Sequence, residues 1–102
     1  MKLANKRVQE VVDRMDEFTA SNIFAEWERV EGRSLYIVYS WGKHYPMYIN
    51  IRGDWYGNSD YYSISTQRHK TQARPTGHVR YLSTESLKRI IRRGVYENAE
   101  PK

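Results

Sequence analysis

Three short segments rich in β-branched and aromatic residues follow one another between residues 23 and 51, separated only by a few turn-forming residues. Strands that are joined by such short, glycine- and proline-containing breaks pair antiparallel. The pattern therefore predicts a small antiparallel sheet at the centre of the fold. The predicted strands are Ile23–Val30, Leu35–Trp41 and Met47–Ile51.

An amphipathic helix is predicted on each side of these strands. The first has Asn5 as its N-cap and ends within residues 19–22, and the second begins after Ser83 and ends at Gly94. Each has an apolar stripe at steps of three and four residues, which is the spacing of one helix face. The stripes consist of Val8, Val11, Val12, Met15 and Phe18 in the first helix and Leu87, Ile90 and Ile91 in the second.

Alternation along the strands assigns Ile37 and Ile49, together with Ile23, to an apolar side that both helices cover. The opposite side is predicted to be polar, with Tyr36 and Tyr48 standing on it. The expected fold class is therefore α+β, with an antiparallel sheet of three to five strands and the N-terminal and C-terminal helices packed on one face.

Residues 53–78 are too polar and irregular for one long element, and they predict a long loop. A short helical turn is expected within it, with Thr66 as the cap and Gln67–Ala73 following. An edge strand is expected at Val79–Leu82. The densest group of hydrogen-bonding side chains lies in this turn, and we expect it to anchor the loop to the sheet. The group consists of Ser65, Thr66, His69 and Gln72.

The chain has 102 residues, which predicts one domain over residues 1–102, with residues 97–102 frayed. It contains no cysteine, which excludes disulfides and thiolate chemistry. No apolar run approaches the roughly 20 residues of a membrane helix, and the N-terminal segment is charged. We therefore expect a cytoplasmic protein with no membrane partner.

The net charge of +5 comes entirely from the second half of the chain, because residues 1–51 hold seven basic and seven acidic side chains. A basic surface of this kind favours a polyanion or an acidic partner surface, although a merely solvated face is the plain alternative. Tyrosine mixed with arginine is typical of binding surfaces. The expected binding residues are Arg52, Arg68, Lys70, Arg74, Lys88, Arg89, Arg92, Arg93, Tyr36 and Tyr48.

The spacing of polar and aromatic residues from position 39 to position 75 resembles a family of small uncharacterised phage-encoded proteins. The family reads roughly YSYGxHxPLY, then a Trp and an Asn, then KYSxTTSxHxxQxRP. The resemblance implies a phage origin and no particular chemistry. The matching residues are Tyr39, Ser40, Gly42, His44, Pro46, Met47, Tyr48, Trp55, Asn58, Tyr62, Ser63, Ser65, Thr66, His69, Gln72, Arg74 and Pro75.

These features together favour a non-catalytic phage accessory protein that engages a host factor or its nucleic acid, for host takeover or against host defence. One alternative is a small metal-independent ribonuclease of toxin type that uses its histidines, tyrosines and arginines. Another is a nucleic-acid-binding module with no host-protein target. No cofactor is expected, and no metal site either, because the spacing of His44, His69 and His78 fits no short ligand motif.

Overall fold

A computed structural model describes residues 2–3, 7–43 and 45–94. These residues form seven strands and three helices. The strands are β1 (Lys2–Leu3), β2 (Phe18–Ala20), β3 (Ile23–Val30), β4 (Arg33–Ser40), β5 (Pro46–Ile51), β6 (Asp54–Asn58) and β7 (Val79–Leu82). The helices are α1 (Val8–Arg14), α2 (Ile64–Ala73) and α3 (Thr84–Arg93).

The seven strands form one sheet in the order β1-β2-β3-β4-β5-β6-β7. The strands from β2 to β6 pair antiparallel, whereas β1 pairs parallel to β2 and β7 pairs parallel to β6. The fold is α+β, as predicted, and β2 to β6 are five antiparallel strands, but the sheet formed by the described residues is mixed and has two further strands. In both parallel pairs the two strands are separated along the chain by a helix. Such a connection has no short turn by which the sequence could reveal the pairing.

Two tight hairpin turns set the register of the β3–β4 and β5–β6 pairs. Glu31 and Gly32 have φ angles of 49° and 78°, and Arg52 and Gly53 have φ angles of 54° and 88°. Two successive residues at positive φ form the type I′ turn, whose twist matches that of the strands it joins. The first turn lies in the break between the predicted strands Ile23–Val30 and Leu35–Trp41, and β6 starts directly after the second turn.

The helices pack on opposite faces of the sheet, so the prediction that both cover one face is wrong. Val8 and Val12 of α1 and Ala73 of α2 share a buried cluster with Val38 of β4. Leu87 and Ile90 of α3 share a second buried cluster, which contains Leu35, Tyr39, Ile51 and the predicted neighbours Ile37 and Ile49. We call these two sides of the sheet the α1/α2 face and the α3 face.

Burial on both faces of the sheet explains why residues that were predicted to share one side of it lie on two different sides. Ile23 and Ala25 lie on the α1/α2 face, because they pair with Ser40 and Val38, whereas Ile37 lies on the α3 face. Residues 35–40 and 45–51 are all buried. A strand that is covered on both sides has no polar side, and alternation then carries no information about which helix covers a residue.

Helix α1 is shorter than its apolar stripe predicts. It ends at Arg14, because Met15 takes the left-handed conformation with φ 57°, and Phe18 belongs to β2. A residue in that conformation terminates a helix. The predicted cap Asn5 lies outside the described residues.

The second half of the chain combines confirmed and missed elements. Strand β7 and the caps of α3 at Ser83 and Gly94 are confirmed. Strand β6 was not predicted, and α2 begins at Ile64, with Ser63 as its N-cap in place of Thr66. The predicted frayed segment 97–102 lies outside the described residues, and the single domain over 1–102 stays a prediction.

Candidate functional site

A chain of buried hydroxyls connects α2 to the end of β4. Ser63 Oγ accepts from the Thr66 backbone N–H at 3.1 Å and donates to Thr66 Oγ1 at 3.1 Å. Thr66 Oγ1 lies 3.3 Å from Ser40 Oγ, which lies 2.7 Å from Nδ1 of His69. Each hydroxyl donates one proton, so a neutral His69 that accepts at Nδ1 completes the chain in one direction. This arrangement anchors α2 to the sheet.

His69 is held neutral by its surroundings. The residue is only 7% exposed, and burial lowers the pKa of its imidazole below the ordinary value of 6.5. The ring of Trp41 lies 5.7 Å from it, centroid to centroid. Nδ1 is occupied by the Ser40 contact, so this nitrogen is part of the structural anchor.

A second set of contacts holds residues 59–63 between the two helices. Asn58, which is fully buried, donates from Nδ2 to the Pro46 carbonyl at 2.8 Å and to Thr84 Oγ1 at 2.9 Å. Asp60 Oδ2 accepts from the Thr84 N–H at 2.8 Å, which lowers the pKa of the carboxyl group. The Asp60 carbonyl accepts from the hydroxyl of Tyr45. The start of α2 and the start of α3 are thus fastened to the same end of the sheet.

Two of the four predicted anchoring residues take part in the hydroxyl chain, and two do not. Thr66 and His69 are buried in the hydroxyl chain, whereas Ser65 is exposed and Gln72 is half-buried. The anchoring residues that the sequence analysis did not assign are Ser40, Asn58 and Ser63. The capping spacing of Ser63 and Thr66 is a local signal for α2, but the partnership of Ser40 and His69 spans 29 residues and has none.

Tyr36 and Tyr48 do not stand on a polar surface, so the expectation that they belong to a binding surface is wrong. Their side chains are 0% and 1% exposed. The Tyr36 hydroxyl donates to the Asp16 carbonyl and the Tyr48 hydroxyl to the Lys70 carbonyl, each at 2.7 Å. Burial raises the pKa of both phenols. These tyrosines fasten α2 and the end of α1 to the sheet, because a buried phenol needs an acceptor.

The predicted basic residues do not form one patch. Arg68, Lys70 and Arg74 belong to α2 or its C-cap on the α1/α2 face, and Arg52 lies in the turn before β6. Lys70 is half-buried and donates from Nζ to the Asp60 carbonyl at 3.3 Å, and burial lowers its pKa. The four remaining cations all belong to α3.

These four cations lie outside the buried stripe of α3. Ser86, Leu87 and Ile90 are buried, and a 3.6-residue period places Lys88, Arg89, Arg92 and Arg93 on the remaining sides. Arg92 and Arg93 are exposed, and Lys88 and Arg89 are half-buried. The acidic residue among them is Glu85, whose carboxylate lies 3.7 Å from the Arg89 guanidinium. We call the four cations the α3 basic face.

A groove of about 560 Å³ lies where β6 and β7 begin. The strand register pairs Tyr56 with Arg80, and alternation places Asp54 on the same α3 face. His78 directly precedes β7. The groove is lined by Gly53, Asp54, Trp55, Tyr56, Gly77, His78 and Arg80.

The ribonuclease and metal alternatives depend on the histidines. His69 is engaged with Ser40, His78 is exposed in the groove, and His44 lies outside the described residues. Within the described part of the chain, no group of three or more His, Cys, Asp or Glu side chains could hold a metal ion. No helix in that same part is long and apolar enough to cross a bilayer.

Comparison with known proteins adds no family. No family model matches the chain, and no curated protein or solved structure matches it either.

Proposed function

We propose that this chain is a non-catalytic binding protein whose α3 basic face docks on the phosphate backbone of a nucleic acid. The resemblance to phage-encoded proteins supports a role as a phage accessory protein, and host nucleic acid, free or bound to a host factor, is the proposed target. The observation that supports the proposal is the α3 basic face itself, with four cations and one carboxylate on a helix that is firmly packed on the sheet.

The fixed position of α3 matters because preorganised cations lose little freedom on binding. Its N-terminus is capped by Ser83 Oγ, which accepts from the Ser86 N–H at 3.1 Å, and is held by Asp60. Leu87 and Ile90 are 0% and 2% exposed on the inner side. Lys88 and Arg92, one turn apart, make no ion pair within the described residues, so binding would not have to break one.

The contact between His69 and Ser40 argues against His69 as the general acid or base of a ribonuclease. A general acid or base needs a titratable group that reaches the substrate, and Nδ1 of His69 faces the buried Ser40 hydroxyl. The groups left exposed on α3 are arginine and lysine, which contact phosphates without reacting.

Fluorescence anisotropy with a labelled single strand and a labelled duplex, at several salt concentrations, tests the proposal. We expect log affinity to fall linearly with log salt, by about 0.7–0.9 per phosphate contact. The double variant Lys88→Glu with Arg92→Glu should bind at least about tenfold more weakly and flatten the slope by about two contacts. The matched control is Arg68→Glu with Arg74→Glu, which changes the net charge equally but lies on the α1/α2 face.

Equal losses in both double variants would show that only net charge matters, and would contradict the proposal. Binding no stronger than that of an unrelated protein of equal charge would also contradict it, and would leave an acidic protein surface as the partner of α3.

A further inference from the structure

We propose that the groove at the start of β6 and β7 is a nucleotide site, in which a nucleobase stacks on Tyr56 and its phosphate lies against Arg80 and His78. This inference rests on the proposed function and specifies it, because a groove that accepts an unpaired base makes the preferred ligand single-stranded.

The groove has the size and side chains of a ligand site. Its volume of about 560 Å³ falls within the range of roughly 300–1,000 Å³ that small-molecule sites occupy. Tyr56 is half-buried, and Arg80, His78 and Asp54 are exposed around it. An aromatic ring with a nearby guanidinium is the combination that single-stranded nucleic acid sites use.

The charged side chains of the groove have opposite signs, and this difference would orient a bound nucleotide. Arg80 is the cross-strand partner of Tyr56, so the two side chains leave the sheet on the same face. Asp54 lies two residues before Tyr56 on the same face. A carboxylate repels phosphate but accepts from the exocyclic amino group of a base. The base edge is therefore expected at Asp54 and the phosphate at Arg80 and His78.

The groove and the α3 basic face lie on the same face and at the same end of the sheet. A Cβ on Gly94 would be 2.5 Å from the Val30 carbonyl oxygen, so the end of α3 lies directly over the end of β3. Leu35 pairs with Ile51, and Ile51 pairs with Asp54. The start of β6 therefore lies at the same end of the sheet as the end of β3. At about 4.8 Å per strand, the separation from β3 to β6 is roughly 14 Å, which a short run of nucleotides spans.

Two backbone features keep the groove open. Gly53 and Gly77 contribute no side chains to its lining, and neither has a heavy atom within 4 Å of the place where a Cβ would stand. Gly57 allows β7 to approach β6, since a Cβ there would lie 2.8 Å from side-chain atoms of Val79 and Tyr81. The position of Arg80 beside Tyr56 depends on this close pairing.

The first test titrates adenosine and guanosine 5′-monophosphates into the full chain and follows backbone amide shifts by NMR. We expect saturable shifts at Gly53, Tyr56, Gly77 and Arg80, and no comparable shifts with inorganic phosphate. No shift with either nucleotide, or equal shifts with inorganic phosphate, would overturn the nucleotide site whatever α3 does.

The second test measures the ratio of single-strand to duplex affinity. Tyr56→Leu keeps apolar volume but removes the stacking surface, and it should lower the ratio about fivefold or more while the salt slope stays unchanged. Arg80→Gln is the second variant, in case Tyr56→Leu lowers stability. The matched control is Tyr81→Leu, an exposed tyrosine on the other face of β7.

An unchanged ratio in both groove variants would overturn the site while leaving the α3 proposal intact. Conversely, nucleotides could shift the groove resonances while oligonucleotide binding is unaffected by the Lys88→Glu and Arg92→Glu double variant. That result would refute only the role of α3.

Discussion

The contact between Ser40 and His69 should contribute measurably to stability, and Ser40→Ala tests it. Ser40 is fully buried, and its hydroxyl contacts both Nδ1 of His69 and Oγ1 of Thr66. After the substitution Thr66 keeps its bond from Ser63, whereas Nδ1 is left buried without a partner. One buried unsatisfied polar atom costs about 1–3 kcal/mol, so the free energy of unfolding should fall by that amount at pH 7.5.

The same contact predicts the direction of a pH effect. Burial holds the pKa of folded His69 below the ordinary 6.5, which is the value expected in the unfolded chain. Between these two pKa values the unfolded chain binds a proton that the folded chain does not, so stability decreases as the pH falls. The contribution of His69 is therefore fully present above about pH 6.5 and is lost as the pH falls through the folded pKa.

Urea unfolding between pH 4.5 and pH 8 measures both effects. Ser65→Ala is the matched control, because Ser65 is exposed on the same helix, and it should change stability by less than about 0.5 kcal/mol. His69→Gln should lose stability at pH 7.5 and show a smaller decrease below pH 6.5 than the wild type. Equal effects of the two serine variants, or an unchanged acid response in His69→Gln, would refute the anchoring role.

Three further substitutions test the fold by urea or thermal unfolding. Leu87→Ala removes a fully buried side chain of α3 and should cost about 2–5 kcal/mol, so an unchanged melting temperature would contradict the packing of α3 on the sheet. Gly57→Ala should destabilise by more than about 1 kcal/mol, because its Cβ would meet Val79 and Tyr81 at 2.8 Å, and a neutral result would mean that β7 lies farther from β6. Arg52→Asn should stabilise by about 0.5 kcal/mol, since asparagine tolerates the positive φ of that type I′ turn, and a loss would argue against the turn.

Local patterns predicted the elements whose stability is decided within a few residues. Strand β3 has the predicted bounds, and α3 has the predicted caps, because a capping side chain contacts a backbone N–H only three residues away. Strand β6 was missed, since five residues containing a glycine carry little strand propensity. Its pairing with β5 and β7 supplies the stability that the strand propensity of its own residues does not.

Only the part of the candidate site that depends on local sequence, the α3 basic face, was predicted correctly as a surface. The cations of α3 could be assigned to a surface because a helix with a short apolar stripe exposes its other sides. Tyr36 and Tyr48 were assigned to a surface incorrectly. Their positions alternate with apolar residues as surface residues would, but α1 and α2 cover that side of the sheet.

By itself the sequence determined the α+β class, the bounds of β3, the caps of α3 and the excess of positive charge after residue 51. Each of these depends on residue types and on contacts between near neighbours along the chain. The tertiary structure alone decided that the helices cover opposite faces, that Ser40 contacts His69, and that Tyr56 and Arg80 meet in one groove. Those outcomes depend on pairing between distant segments, and its free energy comes from the burial that the whole sheet creates.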